Sequence, residues 1–399
     1  CQLSDMGGGK YTWNASGTAS SSGTGTGGPT GSRTETPAVD WKRLVLRSMR
    51  AVGGFGVVVR VVHEDTNGQP QHFAMKCVPK TESCNSSRHQ ELLENDLKAL
   101  AELPRSPFLS RGYLAFESLS TVFIVTDLIS GGDLFYHLDQ VTLQDKRGFP
   151  EHQARILLAE VAAGLCHMHD HDFIHLDMKL ESIMLTSDGH VKLVDNGLCC
   201  EVKNKSGFRA PQVGSLVNMA PEHIREGLVG RYTDWWAFGI LAHELLTSRS
   251  PWSTLTDKKQ IKYEIANSCF RPSLRGFSLT ASELLCGLLS HDQHGRLGYA
   301  ESREVLRHRF FTEALDMAAV ERGGAPPAGI VGHFSNDIDG DLKLERDQAL
   351  EKYVQMSTPQ PPSCSMHLKQ VSEHPKVLTT DGSFTKKVVS SHPSAAAEN

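Results

Sequence analysis

The 399-residue sequence predicts an α+β fold with two lobes, a small antiparallel sheet with one helix followed by a larger, mainly helical part. Three observations predict this division. Short β-branched or alternating stretches, with turns between them, occupy much of residues 44–125. Apolar residues recur at helical spacing from residue 151 to about residue 311. Hydrophobic residues make up 39% of the chain, enough for a substantial core.

The first lobe, residues 41–126, is predicted to hold five strands and one helix. Leu93, Leu97 and Leu100 recur at i, i+4 and i+7, which predicts a helix over Ser86–Leu103. Leu44–Val62 has the pattern of two strands around a glycine-rich turn. The other three strands are predicted at His72–Val78, Leu114–Phe116 and Val122–Val125.

The second lobe, residues 127–311, is predicted to be built on helices. Asp234–Thr247 is strongly apolar, which predicts a helix inside the core. Glu151–His171 carries four large apolar residues on one face, an amphipathic pattern. These four are Leu157, Val161, Leu165 and Met168.

The two ends of the chain are predicted to be disordered. Residues 1–40 are rich in Gly, Ser and Thr with almost no aliphatic residues, so they bury too little apolar surface to offset the entropy of ordering. A polar, proline-rich tail is expected over residues 312–358, and disorder again over residues 359–399.

Composition argues against several classes of function. The net charge of −5 gives no electrostatic case for binding nucleic acid. No uninterrupted apolar run is long enough to cross a bilayer. The nine cysteines are scattered without a CxxC pair, which is typical of reduced thiols in the cytosol. We therefore expect a cytoplasmic protein, and a monomer.

Seven short motifs follow one another along the chain. The first is glycine-rich, so that backbone amides can approach phosphate closely. The second is a strand lysine that alternates with apolar neighbours. In order, the seven are Val52-Gly53-Gly54-Phe55-Gly56-Val57-Val58, Phe73-Ala74-Met75-Lys76, His175-Leu176-Asp177-Met178-Lys179-Leu180-Glu181-Ser182, Val194-Asp195-Asn196-Gly197, Ala220-Pro221-Glu222, Asp234-Trp235-Trp236-Ala237-Phe238-Gly239 and Arg296-Leu297-Gly298.

Together these motifs resemble the signature set of the protein kinases, which implies the bilobal protein kinase fold over about residues 41–358. Within that superfamily the chain is most similar to the AGC group of serine/threonine kinases. Gly131-Gly132-Asp133-Leu134-Phe135 and Asp234-Trp235-Trp236 carry this similarity. Stretches such as Gly189-His190-Val191 are similar to the G-protein-coupled-receptor kinases.

The resemblance implies ATP and Mg²⁺ as cofactors and assigns a role to each matching residue. Asp177 would accept the proton of the substrate hydroxyl, and Lys179 would contact the γ-phosphate. Lys76 would contact the α/β-phosphates, held by a helix acid that is either Glu94 or Asp96. Metal binding is assigned to Asp195 and Ser182. Nucleotide binding is further assigned to Gly53, Gly54, Phe55, Gly56, Val58, Ala74, Asp127 and Leu128.

The resemblance also implies protein substrates, with basic residues near the phosphorylated site. Asp133 and Glu181 match family acids that bind such residues, although solvated surface carboxylates explain them equally well. Glu222 is expected to pair with Arg296, and Asp234 to accept hydrogen bonds from the catalytic-loop backbone.

Five positions depart from the family pattern, the mildest being Ala51 in place of the first glycine of the loop. Leu176 replaces the arginine of H-R-D, and Pro211 stands at the usual phosphosite, so phosphorylation there is not expected to switch the protein. Asn196 replaces the phenylalanine of D-F-G. Ser182 replaces the asparagine that holds the second Mg²⁺, which predicts weaker metal binding and a slower reaction.

These departures leave three functions open. An active but slow kinase is favoured by Lys76, Asp177, Lys179 and Asp195. A pseudokinase scaffold is favoured by Leu176, Ser182 and Asn196. A nucleotide-binding switch would bind ATP without using it. The histidine-rich stretch His167–His171 also invites a metal-binding interpretation, but a helix surface explains it more simply.

Overall fold

Two compact units make up the protein. The first consists of residues 1–89, 112–126 and 345–399, and the second of residues 90–111 and 127–344. The computed structural model describes residues 2–6, 10–14, 44–53, 56–64, 69–79, 87–117, 121–145, 147–202, 204, 207–268, 270, 272, 276–324, 377–378 and 384–385. Most of the predicted tail over residues 312–358 lies outside these residues.

The first unit contains a seven-stranded sheet whose strands are numbered in chain order. The strands are β1 (Gln2–Met6), β2 (Lys10–Asn14), β3 (Leu44–Gly53), β4 (Gly56–Glu64), β5 (Pro70–Pro79), β6 (Gly112–Glu117) and β7 (Thr121–Asp127). Their order across the sheet is β1-β2-β6-β7-β5-β4-β3. The pairs β3–β4, β4–β5 and β6–β7 are antiparallel, as expected for strands joined by short turns. One face buries Val59, Phe73 and Cys77 in a small apolar core.

Residues 1–40, which the sequence predicts to be disordered, include β1 and β2. These strands form an antiparallel hairpin, and Thr12 pairs with Leu114 of β6. Tyr11, Thr12 and Trp13 favour extended backbone, so this short stretch can join the sheet edge even though its surroundings are rich in glycine and serine. Within residues 359–399, β14 (Val377–Leu378) likewise pairs with β15 (Phe384–Thr385).

The second unit is mainly helical. Its helices are α1 (Ser87–Glu102), α2 (Leu134–Asp145), α3 (Glu151–Asp170), α4 (Pro221–Glu226), α5 (Arg231–Thr247), α6 (Lys258–Asn267), α7 (Leu279–Leu288), α8 (Arg309–Thr312) and α9 (Met317–Glu321). Helix α5 lies in the core, where Trp235, Trp236 and Phe238 are fully buried. A helix that is apolar on every side is stable only in such a position. None of the helices that the structure describes is both long and apolar enough to span a bilayer.

Helix α1 belongs almost wholly to the second unit, although the sequence placed it in the first lobe. The reason lies in its own contacts. Ala99 is completely buried in the large core of the second unit, and Lys98 forms an ion pair with Glu201 at 2.7 Å. Helical periodicity identifies such a helix but does not show which neighbour its apolar face packs against.

Three two-stranded pairings position loops of the second unit. Hairpin strands β9 (Ile183–Leu185) and β10 (Val191–Leu193) follow the catalytic loop directly. Strand β8 (Phe173–Ile174), just before that loop, pairs with β11 (Cys200–Glu201). Strand β12 (Phe208–Arg209) pairs with β13 (Leu228–Val229). The segment between Asp195 and Glu222 is therefore tied to the unit at both ends.

Candidate active site

In the first unit, three of the predicted nucleotide-binding residues lie on one face of the sheet. Val58 of β4 is directly opposite Lys76 of β5. Ala74 precedes Lys76 by two residues on the same strand, and side chains two apart along a strand share a face. The opposite face carries Phe73 and Cys77 into the core, so Lys76 is turned away from the apolar side.

The glycine-rich turn closes between Gly53 and Gly56, which face each other at the ends of β3 and β4. Gly56 has φ +154°, and a Cβ there would lie 2.3 Å from the carbonyl oxygen of Cys77. A side chain at this position would collide with the neighbouring strand. The other two predicted residues of the turn, Gly54 and Phe55, lie outside the described residues.

In the second unit, the carboxylate of Asp177 is held from both sides. The N–H and the hydroxyl of Ser215 both donate to Asp177 Oδ1, at 2.9 and 3.0 Å. Lys179 Nζ donates to Asp177 Oδ2 at 2.5 Å. The side chain of Asp177 is 14% exposed and that of Lys179 is 25% exposed. The two predicted catalytic residues thus form one pair that substrate can still reach.

Ser182 faces the backbone of its own loop. Its Oγ accepts from the N–H of Lys179 at 3.1 Å and donates toward the carbonyl oxygens of Asp177 and Lys179, each at 3.0 Å. Only 2% of the residue is exposed. The hydroxyl stabilises the loop that carries Asp177 and Lys179, and its single proton is already used in these hydrogen bonds.

Asp195 has left-handed backbone angles, φ 62° and ψ 69°, immediately before a single 3₁₀ turn over Asn196–Leu198. Asn196 is buried, and its side-chain oxygen accepts from the thiol of Cys199 at 3.6 Å. A thiol is a weak donor, so this contact offsets little of the cost of burying an amide. Burial raises the pKa of the Cys199 thiol well above its usual value, and the thiol therefore stays protonated.

The catalytic loop rests on a buried aspartate, as the sequence predicted. Asp234 accepts from the backbone N–H groups of His175 and Leu176 at 2.8 and 2.9 Å, and from His169 Nε2 at 2.8 Å. The predicted bracing pair is also confirmed: Arg296 binds both oxygens of Glu222, at 2.6 and 2.9 Å. The pair of His169 with Asp234 and the pair of Arg296 with Glu222 are both almost fully buried. The bidentate contact of Arg296 with Glu222 holds the two chain segments firmly together.

Leu176 occupies the place of the family's H-R-D arginine. It packs against an apolar cluster formed by Ile174, Val202 and Val229, which come from β8, the segment after β11, and β13. Apolar contact thus ties the segment between Asp195 and Glu222, called the activation segment below, to the catalytic loop around Asp177. Pro211 accepts a hydrogen bond from His223 Nε2 through its carbonyl oxygen.

The remaining predicted nucleotide-binding residues lie at the edge of the second unit. Asp127 accepts from the N–H of Arg111 through Oδ2 at 3.0 Å, and donates its own N–H to the carbonyl of Arg111 at 3.0 Å. Leu128 follows it and is half-buried. On α1, Asp96 is buried and Glu94 is half-buried, so both remain candidates for the acid that pairs with Lys76.

The predicted substrate-binding acids differ in their surroundings. Asp133 caps α2, since its Oδ1 accepts from the N–H of Tyr136 at 2.8 Å. Glu181 is exposed. Glu244 of α5, which the sequence analysis did not select, lies near Glu181. Burial, together with the negative charge of Glu181, raises the pKa of Glu244 to about 7.

Sequence reasoning missed Ser215 and Glu244. Ser215 is six residues before Pro221 in the Ala220-Pro221-Glu222 motif, and its place in the activation segment was the available signal. Glu244 is ten residues after Asp234 on α5. An acid inside a strongly apolar helix is costly to bury, which is a signal of function that hydrophobic periodicity alone does not weigh.

Comparison with known proteins gives a family and several relatives. The family described as the protein kinase domain matches residues 51–311. A probable serine/threonine-protein kinase of Dictyostelium discoideum is 33% identical over 278 residues, covering 69% of this chain and 58% of that protein. Human RAC-beta serine/threonine-protein kinase is 31% identical over 283 residues, covering 69% and 55% respectively. Protein kinase C zeta type of Oryctolagus cuniculus is 31% identical over 308 residues, covering 74% and 49%.

The chain spans about half the length of the curated relatives it matches. The finer similarity to receptor kinases stays a prediction. The domain match and these relatives nevertheless agree with the motif order, the sheet of the first unit and the helices of the second. The chain therefore belongs to the protein kinase family, and it is of the AGC type of serine/threonine kinases.

Proposed function

We propose that this chain transfers the γ-phosphate of ATP to serine or threonine residues of protein substrates, at a rate below that usual for its family. The observation that carries this proposal is the arrangement around Asp177. Ser215 and Lys179 hold its two carboxylate oxygens, so the carboxylate is fixed in place while 14% of the side chain is exposed. A pseudokinase has no need to keep a general base in this geometry.

Each residue of the site would have a separate role in phosphoryl transfer. Asp177 would orient the substrate hydroxyl and accept its proton through the oxygen that Lys179 now contacts. Lys179, 2.5 Å from that oxygen, would turn to the γ-phosphate once ATP is bound. Lys76 would contact the other phosphates, paired with Glu94 or with Asp96. Val58 and Ala74 would contact the base from the same sheet face, and Asp127 and Leu128 through backbone groups.

Metal binding fits one of the two assigned residues better than the other. Mg²⁺ prefers hard oxygen ligands, which the carboxylate of Asp195 supplies. Ser182 Oγ would have to keep its bonds to the loop backbone and still reach the metal, so we expect a water molecule between them. When bound, Mg²⁺ neutralises charge on the phosphates. Asp195 is therefore our proposed metal ligand, and Ser182 mainly shapes the loop.

The acids of the second unit support substrates with basic residues. Burial and the charge of Glu181 make Glu244 costly to ionise, and a guanidinium or ammonium group between the two would reduce that cost. Asp133 can add a third carboxylate, although one of its oxygens caps α2. We propose that a peptide with arginine or lysine near the phosphorylated residue binds better than a neutral one.

Ser182 also favours a second function. If its hydroxyl never serves the metal, the protein binds nucleotide without transferring phosphate and acts as a switch or scaffold. Its position in the loop is equally compatible with that function.

A transfer assay with Mg²⁺-ATP and a basic peptide distinguishes the two. We expect incorporation of phosphate by the wild type and none by Asp177→Asn, which keeps the shape but removes the base. If neither protein transfers phosphate but ATP still raises the melting temperature, the nucleotide switch is supported instead. The absence of any thermal shift with ATP would support a scaffold.

A further inference from the structure

Two histidines at the end of α3 have their rings in contact. His167 and His171 are four residues apart, one turn along the helix. Their ring centroids are 4.6 Å apart, with the ring planes at 43°. His167 is half-buried and His171 is exposed.

Hydrogen bonds to backbone carbonyls fix the proton on each ring. His167 Nε2 lies 3.0 Å from the carbonyl oxygen of Pro104, and His171 Nδ1 lies 2.8 Å from the carbonyl oxygen of His167. A carbonyl oxygen only accepts, so both of these nitrogens carry hydrogen. In the neutral rings, the lone pairs are therefore on His167 Nδ1 and His171 Nε2. Neither of these two nitrogens has a hydrogen-bond partner among the described residues.

This hydrogen-bonding pattern is found in many metal-binding histidines. Such a histidine usually donates its second nitrogen to a carbonyl or carboxylate, which fixes the ring orientation and raises the basicity of the binding nitrogen. The end of α3 also favours a cation, because the helix dipole places partial negative charge there. Neutral imidazole suits Zn²⁺, Ni²⁺ and Cu²⁺ better than Mg²⁺.

We propose that His167 Nδ1 and His171 Nε2 bind one divalent transition-metal ion of the Zn²⁺, Ni²⁺ and Cu²⁺ class. Two ligands come from the protein and water completes the coordination, since no group of three His, Cys, Asp or Glu side chains converges as a metal site in the described part of the chain. This site goes beyond the proposed kinase reaction, and its metal is not the one that serves ATP.

The neighbouring charges are compatible with a bound cation. The guanidinium of Arg303 acts on His167, and its charge is balanced by Asp170 at 2.9 Å and Glu321 at 2.6 Å. Burial, with smaller effects of His171 and Arg303, lowers the pKa of His167. His169, between the pair in sequence, points inward to Ser302 and Asp234 and takes no part.

The site can be tested on the full chain without nucleotide, with Cu²⁺ as the probe in paramagnetic resonance and Zn²⁺ in calorimetric titration. We expect one bound Cu²⁺ per chain whose spectrum shows two nitrogen ligands. His171→Asn should weaken binding at least about tenfold, because a two-ligand site loses half of its protein ligands. His152→Gln is the matched control: it removes an exposed histidine from the same helix and should change nothing.

Two further measurements keep the result interpretable. His171 is exposed, so an unchanged melting temperature of metal-free His171→Asn shows that the fold is intact. The half-buried His167→Gln should give the same loss as His171→Asn, and binding should weaken toward pH 5 as protons compete for the imidazoles. A wild type without the two-nitrogen spectrum, or a variant that binds Cu²⁺ as the wild type does, would overturn the proposal.

Discussion

At the scale of single residues, the site combines side chains that suit phosphoryl transfer with two that do not. Asp177 and Lys179 are positioned and partly exposed. Ser182 and Asn196 are buried polar residues whose partners are, respectively, backbone carbonyl groups and a thiol. His175 adds a third polar residue, because its fully buried Nε2 has no hydrogen-bond partner among the described residues. Burying these poorly bonded groups should lower the rate of transfer and the free energy of unfolding, while the fold itself is retained.

Ser182→Asn is expected to raise the rate of transfer. An amide is longer than a hydroxyl and offers a carbonyl oxygen, so it can reach the metal that Asp195 binds. If this ligand restores about 3–4 kcal/mol of transition-state stabilisation, the rate rises by about two to three orders of magnitude. Single-turnover kinetics with Mg²⁺-ATP measure this. Ser187→Asn, at an exposed position shortly after the loop, is the control, and an equal rate for both variants and the wild type would refute our account of Ser182.

Asn196→Phe is expected to stabilise the protein. Asn196 is 5% exposed, and its side-chain partner among the described residues is the weak donor Cys199 Sγ. Replacing a poorly bonded amide with an aromatic ring should raise the free energy of unfolding by about 1–3 kcal/mol. Urea denaturation measures the change.

The control for this variant is Asn218→Leu. Asn218 is also buried, but its amide donates to the carbonyl of Met178 at 3.1 Å, so its loss should destabilise the protein. A lower or unchanged stability of Asn196→Phe would show that the amide of Asn196 is better satisfied than its thiol contact indicates.

At the scale of elements, the activation segment is held by short strand pairs and apolar contact. β8 pairs with β11, and β12 pairs with β13. Leu176 packs against Ile174 of β8, Val229 of β13 and Val202, which follows β11. Ser215 then reaches Asp177 across 38 positions of sequence. This combination lets the segment adopt its position without a phosphate and without the arginine that would bind one.

Gly214→Ala tests the coupling between this segment and the catalytic loop. Gly214 has φ +93°, and a Cβ there would lie 2.7 Å from the carbonyl oxygen of Leu176 and 3.3 Å from Asp177 Oδ1. The added methyl group must displace Ser215 or Asp177, so transfer should fall by about tenfold or more while the fold persists. Transfer assays and far-ultraviolet circular dichroism measure the two effects.

Gly276→Ala is a matched control for that experiment. Gly276 has the same φ of +93°, but a Cβ there meets no atom within 4 Å. It therefore reproduces the backbone strain of the first variant without the collision. Equal losses of activity in the two variants would mean that strain, and not displacement of the Asp177–Ser215 contact, is responsible.

At the scale of the whole molecule, sequence predicts the long elements and the identity of the main site residues. The apolar pattern gave α3 to within one residue and the end of α5, although α5 begins at Arg231, three residues before the predicted start at Asp234. It could not give β8, β11, β12 and β13, which are two residues long and exist only through pairing. It also could not give the contact of Ser215 with Asp177 or the proximity of Glu244 to Glu181, since these depend on tertiary packing.

The pairing of Glu244 with Glu181 predicts a pH-dependent affinity for basic peptides. The pKa of Glu244 is raised to about 7, so its carboxylate gains charge as pH rises. Between pH 6 and pH 8 its ionised fraction rises from about 0.1 to about 0.9, so KM for an arginine-containing peptide should fall by up to about ninefold. Glu244→Gln should remove this dependence. A KM for a neutral peptide that varies with pH as strongly as that of the basic one would contradict the assignment.

The most direct measurement is single-turnover transfer of labelled γ-phosphate from saturating Mg²⁺-ATP to a basic serine peptide. The central claim is that Asp177, fixed by Ser215 and Lys179, is a working base. We predict slow but measurable transfer by the wild type that Asp177→Asn abolishes. Transfer that is undetectable in the wild type, or that persists unchanged in Asp177→Asn, would contradict that claim.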